Sequence, residues 1–313
     1  MSDAKNILVI KHGALGDVVL AQGPFQAIRA HHPKARITLL TTKLFKPFLD
    51  KSGLFDEIWV DERAKIWNFL KITALRARLR SGDFDRVYDL QTSSRSSSYL
   101  KLFPRNKMPE WSGIAPGCSH PHTNKDRGKI HTIERQIEQL DQAGIDNIPD
   151  VDFSWAAGDV LNFPDLSKFA LLVPGGSAHR PEKRWPAEQY ASLAITLQKA
   201  RITPAIIGGP AEAEAIELIM KACPAAVDMS GKTSLEDLVT LGKEAQFSVG
   251  NDTGPLHLIA AVGCSVTVLF SKASDPVRAR PRGRDVTVLR SENLADLSLD
   301  TVLKTLKIPD MCE

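Results

Sequence analysis

Two stretches of the chain begin alike. Residues 5–11 (KNILVIK) are a short apolar run that leads into His12-Gly13-Ala14-Leu15-Gly16-Asp17, and residues 169–173 (FALLV) are another that leads into Pro174-Gly175-Gly176-Ser177. Apolar runs this short, without polar alternation, fit strands buried on both faces, as in a parallel sheet. After the first loop, Val18, Val19, Ala21, Phe25 and Ile28 share a face at helical spacing, which predicts a helix over 18–31. The same alternation predicts a strand over 36–41, a short helix over 46–51, a strand over 57–60, a helix over 66–80 and a strand over 86–90. A polar stretch, 120–129, reads as a mobile loop ahead of a helix over 132–143. The second half repeats the scheme, with helices over 187–200, 211–223, 235–243 and 256–262 and strands over 203–207, 247–249 and 265–270. Strands alternating with helices imply βαβ units with right-handed crossovers. Two such blocks, each restarting at a glycine-rich turn, imply two Rossmann-like domains. The boundary falls within 147–164, punctuated by Pro149, Gly158 and Pro164, so domains of 1–155 and 156–313 are expected.

Length and composition agree. The 313 residues suit two domains, and 43% hydrophobic with 25% charged residues is a globular composition, neither disordered nor fibrous. A net charge of +3 is too small to point to nucleic acid. The longest apolar runs, such as 260–270, fall well short of the roughly 20 residues a membrane span needs. The N-terminal text shows no signal-peptide pattern, and Cys118, Cys223, Cys264 and Cys312 are widely spaced, without metal-ligand spacing. Free thiols in a cytoplasmic protein are the expectation. Charge, however, is uneven. Residues 1–150 carry 23 basic and 17 acidic side chains, the remainder 17 and 20, and residues 63–107 alone carry 11 against 3. A basic first half suggests an anionic partner there.

Three segments could carry chemistry. In the first, Gly13 and Gly16 permit a tight turn and close approach of a ligand, and Asp17 falls at the start of the next helix. Asp17 is open to two readings, a helix N-cap or first-turn anion, and a general base at the carboxyl end of a strand, where open α/β sheets bind ligands. The Gly-x-x-Gly spacing is not the dinucleotide fingerprint, which disfavours a nicotinamide or flavin cofactor. In the second, Gly175-Gly176-Ser177 offers backbone N–H groups and a hydroxyl suited to phosphate oxygens, with Lys183 and Arg184 nearby. The third, Gly250-Asn251-Asp252-Thr253-Gly254-Pro255-Leu256-His257, follows a strand and opens a helix, whose start is an anion site. There Asp252 or Thr253 could simply cap the helix, and His257 could be a core histidine. Asp83-Phe84-Asp85 matches the Asp-x-Asp pattern of some metal-dependent sugar transferases, but it sits in a turn and reads as solvated; no metal site is expected.

Taken together, and in order along nearly the whole chain, these segments resemble glycosyltransferase family 9, the ADP-heptose:lipopolysaccharide heptosyltransferases. The resemblance is carried by 10–18 (IKHGALGDV), 84–91 (FDRVYDLQ), 131–135 (HTIER), 174–177 (PGGS), 183–186 (KRWP), Gly208-Gly209-Pro210, 230–235 (SGKTSL) and 250–258 (GNDTGPLHL). It implies a GT-B fold, two Rossmann-like domains with parallel sheets facing across a cleft, the first taking the acceptor and the second the nucleotide sugar. It implies inverting transfer of a heptose from ADP-heptose to a lipopolysaccharide inner-core acceptor, with no cofactor. Asp17 is then the general base and Lys183 the partner of the leaving diphosphate. Gly175, Gly176, Ser177, Gly209, Asp252, Thr253, Gly254, Pro255, Leu256 and His257 line the donor site, and His12, Gly13, Gly16 and Gln91 lie on the acceptor side. The partners implied are an ADP-sugar and an anionic glycolipid. Residues 65–80, with Trp67, Phe69 and Leu70 among five cations, are open to two readings, an amphipathic helix packed on the sheet or a peripheral contact with the cytoplasmic face of the inner membrane. The chain departs from the family after the last strand of the pattern, where Phe270-Ser271-Lys272-Ala273-Ser274-Asp275-Pro276 replaces the usual Phe-Gly and Thr-x-Pro. Two other readings compete, an enzyme akin to UDP-sugar 2-epimerases, which needs no acceptor, and a non-catalytic nucleotide-sugar binder, which would have no use for a base at Asp17.

Overall fold

The apolar runs that end in glycine-bearing turns become central strands. A computed structural model of the chain describes residues 4–65, 67–158, 166–176, 181–306 and 308. The first sheet contains β1 (Asn6–Ile10), β2 (Arg36–Thr41), β3 (Glu57–Val60), β4 (Arg86–Asp89), β5 (Glu110–Gly113) and β6 (His120–Pro121), in the order β3-β2-β1-β4-β5-β6. The second contains β7 (Phe169–Val173), β8 (Thr203–Ile206), β9 (Val227–Asp228), β10 (Ser248–Asn251), β11 (Ser265–Ser271) and β12 (Asp285–Ser291), in the order β12-β11-β10-β7-β8-β9. Every pairing in both sheets is parallel. The chain divides into two compact units, Met1–Trp155 and Ala156–Glu313, one sheet in each. Each is a Rossmann-like α/β unit, and together they are the two units of a GT-B fold.

All five residues of β7 and four of the five in β1 are buried, which is why these strands lack polar alternation. In each sheet the strand order reverses next to the first strand of the unit, between β1 and β4 and between β7 and β10. Loops leaving the carboxyl ends of two adjacent strands diverge there, so a ligand can approach both. The glycine-rich segments of the sequence leave β1, β7 and β10, at these two points.

The expected helix over 18–31 is two helices, Leu15–Val19 and Gln22–His31. In a continuous helix the ring of Pro24 would strike the carbonyl of Leu20, four residues back. In the first turn of a new helix its missing N–H costs nothing, and there it sits. The stretch 120–129 is not a mobile loop. It contains β6, and His122 is buried and bonded on both ring nitrogens. The strands β5, β6, β9 and β12 have no counterpart in the sequence expectations. β5 carries a single large apolar side chain, Trp111, and β12 is a half-buried edge strand following an arginine-rich stretch. Among the described residues no helix is long and apolar enough to cross a membrane.

Candidate active site

In the first unit the site is built on the loop after β1. Gly13 has φ +107°, and a Cβ there would lie 2.3 Å from the Phe45 ring, so both the backbone conformation and the space demand glycine. The His12 N–H donates to Gln91 Oε1 at 2.8 Å, which ties this loop to the one leaving β4. His12 is buried, and its Nε2 lies 3.0 Å from Asp61 Oδ2 without the alignment of a directed hydrogen bond. Tyr99 donates to the same carboxylate oxygen at 2.5 Å. Burial works to raise the pKa of Asp61, but the contacts from His12, Tyr99 and the Arg63 N–H outweigh it and hold the carboxyl below its usual range.

Asp17 is the third residue of the helix Leu15–Val19, half-buried, and the N-cap of that helix is Ala14. It is therefore a first-turn anion and not the cap. Its carboxylate lines a polar pocket of about 190 Å³ with Lys11, Gln91, Arg127, Arg135 and Gln136. Every other charged group on that wall is a cation. Lys11 is buried and donates from Nζ to the Leu90 carbonyl at 3.1 Å. Burial lowers its pKa, while Asp17 and Asp89 act to restore it. Asp89 is fully buried at the end of β4, and burial pushes its carboxyl up to about 6 against the opposing hydrogen bonds. Arg127 is held by the His122 Nδ1 at 3.1 Å and the Thr92 hydroxyl at 3.2 Å, and Glu138 lies 2.9 Å from the other ring nitrogen of His122. His122 accepts at Nδ1, so its proton is on Nε2, facing Glu138. Gln136 is buried, and among the described residues neither its amide nitrogen nor its carbonyl oxygen has a hydrogen-bond partner. A buried amide without a protein partner on a pocket wall is available to a water or a ligand.

The second unit presents two strand-end loops at its own switch point. Asn251, the last residue of β10, is fully buried and joins them. Its Nδ2 donates to the carbonyls of Pro174 (2.9 Å) and Gly175 (3.0 Å), and its Oδ1 accepts from the Trp185 N–H (3.0 Å) and the Tyr190 hydroxyl (3.2 Å). Replacing Asn251 with Ala takes a partner from the Pro174 and Gly175 carbonyls and the Trp185 N–H, while the Tyr190 hydroxyl keeps the Val173 carbonyl, so the midpoint of chemical denaturation should fall by the equivalent of about 2 kcal/mol or more. An unchanged midpoint would show that these bonds are replaced at no cost.

Lys183 Nζ lies 3.1 Å from Asp252 Oδ2, and the Ser274 hydroxyl donates to the same oxygen at 2.7 Å. Ser274 belongs to the stretch in which the sequence departs from the family pattern, and here that stretch supplies a hydroxyl to Asp252. Thr253 is the N-cap of the helix Gly254–Ala261 by position, but its side chain makes no cap bond, and among the described residues its buried Oγ1 has no hydrogen-bond partner. Pro255 has no N–H, so Gly254 and Leu256 are the donors at this helix start. His257 is buried one turn in. Arg184 is committed to the Gly176 carbonyl (2.8 Å) and to Glu212 (3.4 Å), and the Gly209 N–H to Glu212 Oε2 (2.9 Å). Ser177 lies outside the described residues. The Asp85 carboxylate accepts from the N–H groups of Lys5 (2.7 Å) and Asn6 (2.9 Å), while Asp83 pairs with Lys107.

Of the residues that the sequence analysis singles out, His12, Gly13, Gly16, Asp17 and Gln91 come together around the first loop, and Gly175, Gly176, Lys183 and 252–257 around the second pair. Sequence reasoning missed Lys11, Asp61, Tyr99, Arg127, Arg135 and Gln136 as site residues, and Asn251 as the residue that joins two loops. Lys11 and Arg135 stand inside the motifs, at 10–18 and 131–135, and were legible as pocket cations. Asp61 and Tyr99 carry no local pattern.

A family model of glycosyltransferase family 9 (heptosyltransferase) matches residues 72–306. The lipooligosaccharide heptosyltransferase 2 of Haemophilus influenzae is 32% identical over 314 aligned residues, covering 91% of this chain and 88% of that one. Among solved structures, the family 9 glycosyl transferase from Veillonella parvula matches with a TM-score of 0.81 at 20% identity, over 97% of this chain and 98% of that one. The Escherichia coli heptosyltransferase WaaC with ADP matches with a TM-score of 0.76 at 19% identity, over 95% and 98%.

Proposed function

The chain belongs to glycosyltransferase family 9, and from that premise we propose that it moves a heptose from an ADP-heptose to an anionic lipopolysaccharide inner-core acceptor, with inversion at the anomeric carbon. The observation that carries the reading is the setting of Asp17, a half-buried carboxylate on a pocket wall whose other charges, on Lys11, Arg127 and Arg135, are all positive. An acceptor bearing carboxylates or phosphates suits those cations, and its attacking hydroxyl would give its proton to Asp17. Gln136 supplies an amide that can both donate to and accept from a sugar. Gln91 and His12 hold the shape of the loop that presents Asp17.

The donor reading places the diphosphate at Lys183, the Gly175-Gly176 turn and the helix start at Gly254, with Thr253 Oγ1 as a further polar contact. As the bond to the sugar breaks, the sugar becomes oxocarbenium-like and the diphosphate gains charge. A fixed ammonium and backbone N–H groups stabilise that charge most in the transition state. Asp252, bonded to Lys183 and Ser274, sets where the ammonium points. A nucleotide-sugar donor assigns the reaction to the cytoplasm.

The reading is tested by incubating the purified enzyme with ADP-heptose and a lipopolysaccharide core acceptor truncated before its first heptose, and following ADP release and the mass of the product. Separately, calorimetry should show ADP bound more tightly than UDP or GDP, as befits the WaaC structure with ADP. Equal or tighter binding of UDP would overturn the ADP assignment and favour an epimerase-like use of the same fold.

A further inference from the structure

The stretch 120–129, which enters from β6 and leads into the helix Thr132–Asp141, is tied down along one face of that helix. His122 continues the line of β6. Its N–H donates to the Gly113 carbonyl at 2.8 Å, and its side chain is wholly buried. Glu138 and, one turn on, the C-cap residue Gln142 hold the rest. Glu138 Oε2 lies 2.9 Å from His122 Nε2 and accepts from Asn124 Nδ2 at 2.8 Å, and Gln142 Oε1 accepts from the Thr123 N–H at 3.3 Å. The bonds from Asn124 and His122 hold the Glu138 carboxyl below its usual range, so it stays ionised.

The consequence falls on Arg127. A neutral imidazole has one donor nitrogen and one acceptor, whereas a guanidinium only donates. Arg127 Nε donates to His122 Nδ1 at 3.1 Å, so carboxylate, imidazole and guanidinium form a directed chain. Glu138 takes the Nε2 proton and leaves Nδ1 to receive Arg127. A second strut comes from the loop after β4, where Thr92 Oγ1 accepts from Arg127 Nη2 at 3.2 Å. Two anchors on different elements fix the plane of a long side chain. Both are uncharged. A carboxylate bonded directly to Arg127 would cancel its charge, whereas an imidazole and a hydroxyl hold the guanidinium and leave that charge to the polar pocket beside Asp17, which Arg127 lines.

We propose that His122 is a positioning residue for the transfer: it aims Arg127 at an anionic group, carboxylate or phosphate, of the bound acceptor, and Glu138 fixes the tautomer that lets it do so. The inference rests on the transfer reading for the identity of the acceptor. His122, wholly buried, acts only through Arg127. A guanidinium fixed before binding loses little freedom when the anion arrives, so the effect falls on affinity. An anion that takes no part in bond making is held equally in the ground and transition states, so KM for the acceptor carries the effect and kcat does not.

The test combines steady-state transfer with calorimetric titration of a deacylated lipopolysaccharide core acceptor truncated before its first heptose. Arg127→Gln should weaken acceptor binding by roughly 10- to 150-fold. His122→Leu should raise the acceptor KM by roughly 3- to 10-fold, with kcat within about twofold and ADP affinity unchanged. His122→Asn, whose Oδ1 can accept near the place of Nδ1, should recover most of that loss. Added to Arg127→Gln, His122→Leu should cost less than about a further twofold, because the residue it acts through is already gone. Repeating the titrations with dephosphorylated acceptor identifies the anion: the Arg127→Gln effect vanishes if the partner is a phosphate and persists if it is a carboxylate. On the unaltered protein, imidazole nitrogen NMR at neutral pH should show His122 protonated at Nε2 and bare at Nδ1, a result that needs no variant to fold. A proton found on Nδ1 overturns the proposal. So does a folded His122→Leu variant that binds acceptor like the wild type, or one whose loss is as large in the Arg127→Gln background as alone. Failure of the wild type to bind the acceptor at all would overturn the transfer reading and this inference with it, whereas wild-type binding that Arg127→Gln weakens and His122→Leu does not overturns this inference alone.

Discussion

Asp17→Asn should lower turnover by roughly 10²- to 10⁴-fold while leaving ADP affinity nearly intact. The substitution keeps the shape and removes the only anion on a wall that also carries Lys11, Arg127 and Arg135. The helix does not depend on the carboxylate for its cap, because the N-cap position belongs to Ala14. Losing a first-turn anion at a half-buried site costs up to about 2 kcal/mol of stability, so the rate is read on protein shown to be folded. Single-turnover transfer, measured beside a thermal melt, separates the two. A folded variant that turns over at a near-normal rate would remove Asp17 from the chemistry and leave it as a first-turn anion.

Lys183→Ala should weaken ADP binding by roughly 10- to 150-fold, the worth of one charge-assisted hydrogen bond of about 1.5–3 kcal/mol. Transfer should also slow, because the leaving diphosphate is most negative in the transition state. The contact between Lys183 and Asp252 adds a second cost. Without the ammonium, among the described residues the Asp252 carboxylate keeps the Ser274 hydroxyl, and on the proposed donor reading it would face the phosphates as a like charge. Adding Asp252→Asn to Lys183→Ala should therefore recover part of the lost affinity, and calorimetry of the four proteins reads that coupling directly. Chelator should leave most activity in place. Unchanged ADP affinity in Lys183→Ala, or activity abolished by EDTA and restored by a divalent ion, would overturn this account of the diphosphate site.

Much of the fold was legible because a doubly wound α/β sheet writes itself locally. The strands 36–41, 57–60 and 169–173 have the bounds that the apolar pattern predicts, since each run is short, rich in buried side chains and bounded by turn residues. The pattern failed where neighbours decide. Nothing local makes Glu110–Gly113 a strand; it pairs with β4 through Arg86, Val87 and Tyr88. Phe69–Ser81 is open from sequence to two readings, a helix packed on the sheet or a membrane contact; Leu79 joins the core and Leu75 packs against it, while Phe69 and Leu70 stay exposed.

By itself the sequence determined two parallel-sheet units, the glycine turns that open toward ligands, and the chemical types on offer in the motifs at 10–18, 174–177 and 250–258. Tertiary structure decided which of them meet. His12 reaches Gln91 across 79 positions, Lys183 reaches Asp252 across 69, and Asn251 holds the Gly175 turn across 76. These partners meet because β4 lies beside β1 and β10 beside β7. Strand order is set by crossover connections and by how whole layers bury their faces, and no short stretch of side chains encodes it. The acidity of Asp89 follows the same rule. Its carboxyl is pushed up to about 6 by burial, and burial belongs to the folded sheet rather than to the residue.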